Sequence, residues 1–301
     1  MRLRTEFARS KIIALAVLCV AISPIRAQED APSTRREQQA MEEALPRGTR
    51  IDRDLAYGSA AGQKLDVYLP LHPQYAPILL MVHGGAWAMG DKSSPGVVVN
   101  KATRWLSKNY IFVSANYRLL PSAGPLEQAD DIARALAYVQ DNAKSWGGDP
   151  ARIVLMGHSA GAHLVALVAA DPAIAAKQGA KPWLATISLD SAAFDLVETM
   201  SHKHPPLYDT AFGADRSYWE KASPIAQLNA ATRPMLLVCS TRRPDQPCIQ
   251  ARKFAQKDTS LGGKVEVLPM NLTHQQINET LGEPGTYTRE MDVFLQSVGL
   301  P

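Results

Sequence analysis

The chain has 301 residues, 46% hydrophobic and 20% charged, which supplies one large core and excludes an intrinsically disordered protein. Its 32 basic and 29 acidic residues give a formal charge of +3. Arg2, Arg4, Arg9, Lys11 and Arg26, set against Glu6 alone, lie in the first 27 residues, so the remainder holds 27 basic and 28 acidic side chains, a formal −1. A body this close to neutral offers no basic surface for nucleic acid.

Residues 1–27 read as an export signal. The basic segment "MRLRTEFARSK" precedes the apolar "IIALAVLCVAI", and a Ser-Pro break then leads to "IRA", where cleavage after Ala27 is expected. The apolar run of 11 residues is short of the ~20 that span a bilayer, so no stable membrane anchor is expected once it is removed. Leu18 before Cys19 is too bulky for a lipoprotein site. The expected location is periplasmic or secreted. Residues 28–48, rich in charge, Gln and Pro without a sustained period, read as a flexible leader.

From residue 49 to 301 one domain is expected. "QKLDVYLP" alternates at period two, and "APILLMVH" is a short continuous apolar strand followed by a helix near 98–108. "YIFVSANY" is the next strand. "LEQADDIARALAYVQDNAKSWG" is a helix with Ile132, Leu136 and Val139 inward and Asp130, Asp131, Gln140 and Asp141 outward. "RIVLM", "LATISL", "PMLLVC" and "KVEVLP" are further strands with helical segments between, and 286–298 is a last helix. Apolar strands separated by helices predict an α/β fold, a mostly parallel sheet with helices on both faces. Residues 191–232 break the rhythm and read as a cap-like insertion over the carboxyl edge of the sheet, where ligand sites of such sheets lie.

Chemistry enters at "RIVLMGHSAGAHLVALVAA". Ser159 stands between Gly157 and Gly161 where a strand turns into a helix. In that context G-x-S-x-G lifts a hydroxyl out of the sheet as a nucleophile, with the helix amino end behind it. "MVHGGAWAMGDK" ends an earlier strand. The N–H groups around Gly84 and Gly85, with that of Ala160, are the expected donors to an oxyanion. The base is expected on the loop after the final strand, which selects His274 in "MNLTHQQIN". For the orienting acid two residues compete. Asp245 in "STRRPDQPC" follows "PMLLVC" and is preferred; Asp190, ending "LATISLD", is the rival from the neighbouring strand. His202 and His204, at i, i+2 without a third ligand, make a weak metal signal, and neither a metal nor a cofactor is expected. Cys239 and Cys248 bracket the Asp245 loop, either as a disulfide permitted by export or as two thiols.

Together "HGGAW", "GHSAGAHL", "NYRL", "ASPI" and the late histidine resemble α/β-hydrolases of the carboxylesterase type, nearest the HGGxW kynurenine formamidase-like and bacterial esterase branch, over about residues 50–300. The resemblance implies an eight-stranded α/β-hydrolase sheet and a Ser–Asp–His triad falling on Ser159, Asp245 and His274. The chain departs from the family where "CSTRRPDQPC" replaces the usual Gly-x-x-Asp followed by Val-Pro. The implied function is a serine esterase acting on a small-molecule ester through an acyl-enzyme. Amide or arylformamide hydrolysis with the same triad is the alternative, and a non-catalytic binding module is the remaining reading.

Overall fold

A computed structural model describes residues 34–301, so the expected export signal lies outside the described residues. Eight strands form one sheet: β1 (Arg50–Ala56), β2 (Lys64–Leu69), β3 (Ala76–Val82), β4 (Ile111–Ala115), β5 (Gly148–His158), β6 (Ala185–Leu189), β7 (Met235–Ser240) and β8 (Val265–Met270). Their order is β1-β2-β4-β3-β5-β6-β7-β8. β2 pairs antiparallel with both β1 and β4, and every other pairing is parallel. β1 was not expected from the sequence. Its residues "RIDRDLA" are mostly polar, because an edge strand buries little of either face.

β3, β4, β6 and β7 are buried along their whole length, as is the second half of β5. The pleat divides their side chains between two cores. Ile78, Leu80 and Val82 of β3 face one helical layer, with Ile132, Leu136 and Val139 of α3 (Pro125–Asn142) and Leu164, Val165 and Val168 of α4 (Ala160–Ala170). Leu79 and Met81 face the other, with Val98 and Trp105 of α2 (Pro95–Leu106) and Met291, Phe294 and Leu295 of α12 (Thr286–Ser297). Helices therefore cover both faces, as a parallel sheet requires.

Two local expectations are corrected. Where 28–48 reads as a flexible leader, Arg35–Ala44 forms a helix, α1. Thr34 caps it in a capping box with Glu37, and Met41 and Leu45 are buried in the second core. Few apolar residues anchor it, so no window average reveals it. In α3, Asp131 and Gln140 point inward rather than out. Asp131 accepts from Arg118 Nε (2.8 Å) and Nη2 (2.7 Å), and from Gln63 Nε2 (2.6 Å). Gln140 bonds the backbone of Lys181 in both directions. Burial is tolerated because each polar group is paired.

Residues 191–232 fold into four short helices, α6 (Leu196–Ser201), α7 (Pro206–Phe212), α8 (Arg216–Ala222) and α9 (Pro224–Gln227); α5 (Pro172–Lys177) precedes them. Asp195 and Asp215 cap α6 and α8, and prolines open α7 and α9. α10 (Pro247–Ser260) and α11 (His274–Glu279) follow β7 and β8. Cys239 and Cys248 are joined by a disulfide, with Cα atoms 5.1 Å apart, which closes the loop between β7 and α10.

Candidate active site

Ser159 links β5 to α4 with φ 55° and ψ −116°. This is a strained position for a residue with a Cβ, held only because the surroundings fix it. The helix behind it packs directly on the end of β3. A Cβ at Gly161 would stand 2.4 Å from the Val82 and His83 carbonyl oxygens. Glycine there lets α4 approach closely enough to put Ser159 at the carboxyl edge of the sheet.

His274 is the first residue of α11, whose capping box of Thr273 and Gln276 sets the helix start. Two contacts fix its backbone. His158 Nε2 donates to the His274 carbonyl (3.1 Å), with the two rings 4.6 Å apart, and Ser240 Oγ donates to the Leu272 carbonyl (2.6 Å). His274 Nε2 then lies 2.8 Å from Ser159 Oγ. Burial drives the His158 pKa well below the ordinary histidine value, consistent with a neutral ring that only donates.

The acid that reaches the imidazole is Asp190. His274 Nδ1 donates to Asp190 Oδ2 at 2.6 Å, which assigns the tautomer and leaves the Nε2 lone pair facing the serine hydroxyl. Asp190 is fully buried at the end of β6 with φ 62°, a left-handed turn that aspartate tolerates. Its Oδ1 accepts from Ser240 N (2.7 Å) on the neighbouring β7. Burial alone would raise its pKa, but the His274 bond, the Arg243 charge and the Ser240 N–H outweigh that and hold it at about 2.

The preference for Asp245 is thereby corrected. Asp245 makes a two-pronged ion pair with Arg243, through Nε to Oδ1 (2.9 Å) and Nη2 to Oδ2. Arg243 Nη1 donates to Asp190 Oδ2 (3.0 Å) and to the Asp190 carbonyl (2.8 Å), and it also lies 3.0 Å from His274 Nδ1. A guanidinium thus stands where the loop after β7 comes nearest the imidazole. The sequence signal was present, since this loop lacks the usual Gly-x-x-Asp pattern.

Gly84 and Gly85 lie beside the serine. A Cβ on Gly84 would be 2.9 Å from the Ser159 Cβ, and Gly85 has φ 109°. Ala86 and Trp87 continue in left-handed conformations, φ 51° and 60°. Ala160 is the first residue of α4. None of the N–H groups of Gly84, Gly85 and Ala160 donates to a backbone carbonyl outside the regular elements of the described residues. Backbone N–H groups at a glycine turn and at a helix start are suited to an anion.

Trp87 does more than pack under this loop. Its Nε1 donates to His163 Nδ1 (3.2 Å), and His163 Nε2 donates to the Ala222 carbonyl (2.7 Å) of the insertion. The Trp87 ring also meets Tyr208 and Phe212 edge-on. Burial lowers the His163 pKa to about 4, against the opposing bond to Ala222, so the ring is neutral as this relay needs. The sequence offered one hint, a histidine four residues after the serine on a helix with no polar face.

His202 and His204 sit on the insertion. Each has a ring nitrogen against a backbone carbonyl, and His204 Nε2 pairs with Asp209 (3.0 Å). They help to line a cleft of about 280 Å³ together with Glu198, Tyr208, Asp245 and Gln250; Ser159 and His274 are not in its walls.

The geometry agrees with the comparisons to known proteins. The BD-FAE family model matches residues 65–257. The chain belongs to the BD-FAE family. The match covers the stretch from β2 through most of α10, including Gly84, Ser159 and Asp190, and stops short of His274. Relatives of this BD-FAE chain include the isoprenylcysteine alpha-carbonyl methylesterase ICME of Arabidopsis thaliana, 27% identical over 76% of this chain and 57% of the relative. Esterase LipQ of Mycobacterium tuberculosis is 30% identical over 67% of this chain and 51% of the relative. The chain spans about half the length of these curated relatives. Among solved structures, a truncated carbohydrate esterase from gut microbiota superposes with a TM-score of 0.70 at 18% identity, covering 84% of this chain and 99% of that one. A thioesterase-like protein from Silicibacter sp. TM1040 superposes with a TM-score of 0.69 at 22% identity, covering 93% and 95%. The BD-FAE fold here is that of the α/β-hydrolases.

Proposed function

We propose that the protein is a carboxylic ester hydrolase in which Ser159, His274 and Asp190 form the triad. The observation that carries this reading is the continuous line of contacts from Ser159 Oγ through both nitrogens of His274 to a buried carboxylate. Ser159 Oγ attacks the ester carbonyl carbon while His274 Nε2 takes its proton, and Asp190 stabilises the imidazolium that results. The carbonyl oxygen becomes an oxyanion facing the N–H groups of Gly84, Gly85 and Ala160. Collapse breaks the bond to the alkoxide, which leaves with the proton from His274. Water then attacks the acyl-enzyme with His274 as base, releasing the acid and restoring Ser159.

ICME and LipQ are both named as esterases, which favours esters over amides or arylformamides. The assembled triad argues against a binding module. Export belongs to the same reading, supported by the signal-like residues 1–27 and by a disulfide of the kind that persists in oxidising compartments.

A panel of chromogenic acyl esters and arylformamides on the purified mature protein tests the reaction class. Ser159→Ala should lower turnover ~10⁶-fold with the fold intact, because triad members act as a unit. Residual activity within about tenfold of wild type would remove Ser159 from the mechanism.

A further inference from the structure

Arg243 is shared between the acid and the base of the site. Its Nη1 touches Asp190 Oδ2 and lies 3.0 Å from the nitrogen that donates to that same oxygen. Its other nitrogens are taken up by Asp245, so one cation spans two carboxylates. Arg243 is 18% exposed and Asp245 33%, whereas Asp190 is fully buried.

Resting on the hydrolase reading, we propose that Arg243 and Asp245 are positioning residues that together set how tightly the His274–Asp190 couple holds a proton. A guanidinium beside the ring opposes an imidazolium and competes for the carboxylate that would stabilise it. It also offers Nδ1 a donor, which favours the unproductive tautomer. Asp245 counters both effects by drawing the guanidinium into a bidentate pair and neutralising part of its charge. The disulfide between Cys239 and Cys248 closes the loop that carries both residues. Asp245 thus acts on the site through Arg243, without touching the imidazole.

Other titratable groups are arranged around His274 as well. His158, at the end of β5, is neutral against its ring, and Ser159 faces Nε2. Lys101 of α2 donates to the Asn278 carbonyl and Tyr287 of α12 to the Ile277 carbonyl, both on α11, which itself carries Glu279. None of these is altered in the variants below.

The test follows the pH dependence of Ser159 phosphorylation by diisopropyl fluorophosphate, read by intact mass, which needs no knowledge of the natural ester. The rate falls at low pH as the base takes up a proton. R243M removes the cation, so the acid limb should move up by about one pH unit. D245N leaves the cation uncompensated, so the limb should move down, by about half a unit. R243M/D245N should match R243M, because Asp245 has nothing left to act through. R243K, which keeps the charge, should return toward wild type. D245N changes only a partly exposed partner and tests the sign by itself if R243M does not fold. Limbs coinciding within about 0.2 pH unit, a lower plateau with an unmoved limb, or an upward shift in D245N would overturn the inference. Wild-type protein that labels normally alongside any of these would leave the hydrolase reading standing; wild type that does not label would overturn both.

Discussion

The loops that follow β6 and β7 leave the same edge of the sheet, and each carries an aspartate. Asp190 follows β6 directly, turns back through a left-handed backbone and is clamped by an N–H of the adjacent strand. Asp245 lies beyond the end of β7 in a Pro-Asp turn, a third exposed, with its oxygens committed to Arg243. The chemistry of the two side chains is the same; what separates them is burial and the neighbour each one meets. A rigid strand end can deliver a carboxylate to a fixed point, whereas a longer loop needs further support to do so.

The sharpest way to break this comparison is to neutralise each aspartate in turn. Asp190→Asn should lower turnover about 10⁴-fold, since the amide no longer selects the productive tautomer. If Asp245→Asn alone produces that loss, the acid comes from the loop after β7 and the geometry described above is not the reactive one.

Removing the covalent tie of the second loop gives a smaller effect. Cys239→Ala with Cys248→Ala should destabilise the protein by ~2–3 kcal/mol in the chain-entropy account, seen as a lower denaturation midpoint. Two alkylatable thiols in the native, air-purified wild type would show that the bridge does not form in solution.

Acid unfolding sharpens the contrast in burial. The pKa of Asp190 is depressed in the folded state, so its contribution is present above the unfolded carboxylate value near 4 and is lost as pH falls toward about 2. Wild type should lose roughly 2 kcal/mol more than Asp190→Asn between pH 6 and pH 2 in urea titrations. Parallel stability curves for the two proteins would contradict the buried, ionised state of Asp190.

Asp245→Asn should be the mildest change, within about tenfold of wild type in turnover at the pH optimum, because its effect is relayed through Arg243. Its signature should be the displaced acid limb rather than the plateau rate.

Much of the protein was legible from local pattern. Ser159 shows itself because a turn of that kind needs small residues on both sides, and His274 because it follows the last strand. The central strands show themselves because a parallel sheet buries both faces and so reads as continuous apolar runs. α1 and β1 escaped because each is anchored by few apolar residues at an edge. Asp131 in α3 escaped because a charge reads as solvent-facing until its partners, Arg118 and Gln63, are known.

The sequence by itself marked the fold class, through apolar strands alternating with helices, and the candidate positions Ser159, Gly84, Gly85 and His274, through local turn motifs and place along the chain, although the Ser159–His274 contact itself joins residues 115 apart. Only the tertiary structure placed Asp190 against His274, linked Trp87 through His163 to Ala222, and set Arg243 between two carboxylates. Each of these joins segments tens of residues apart, 84 between Asp190 and His274 and 76 between Trp87 and His163. A hydrogen bond across that separation is decided by strand order and by a few ångströms of packing, and neither leaves a periodic trace in the chain.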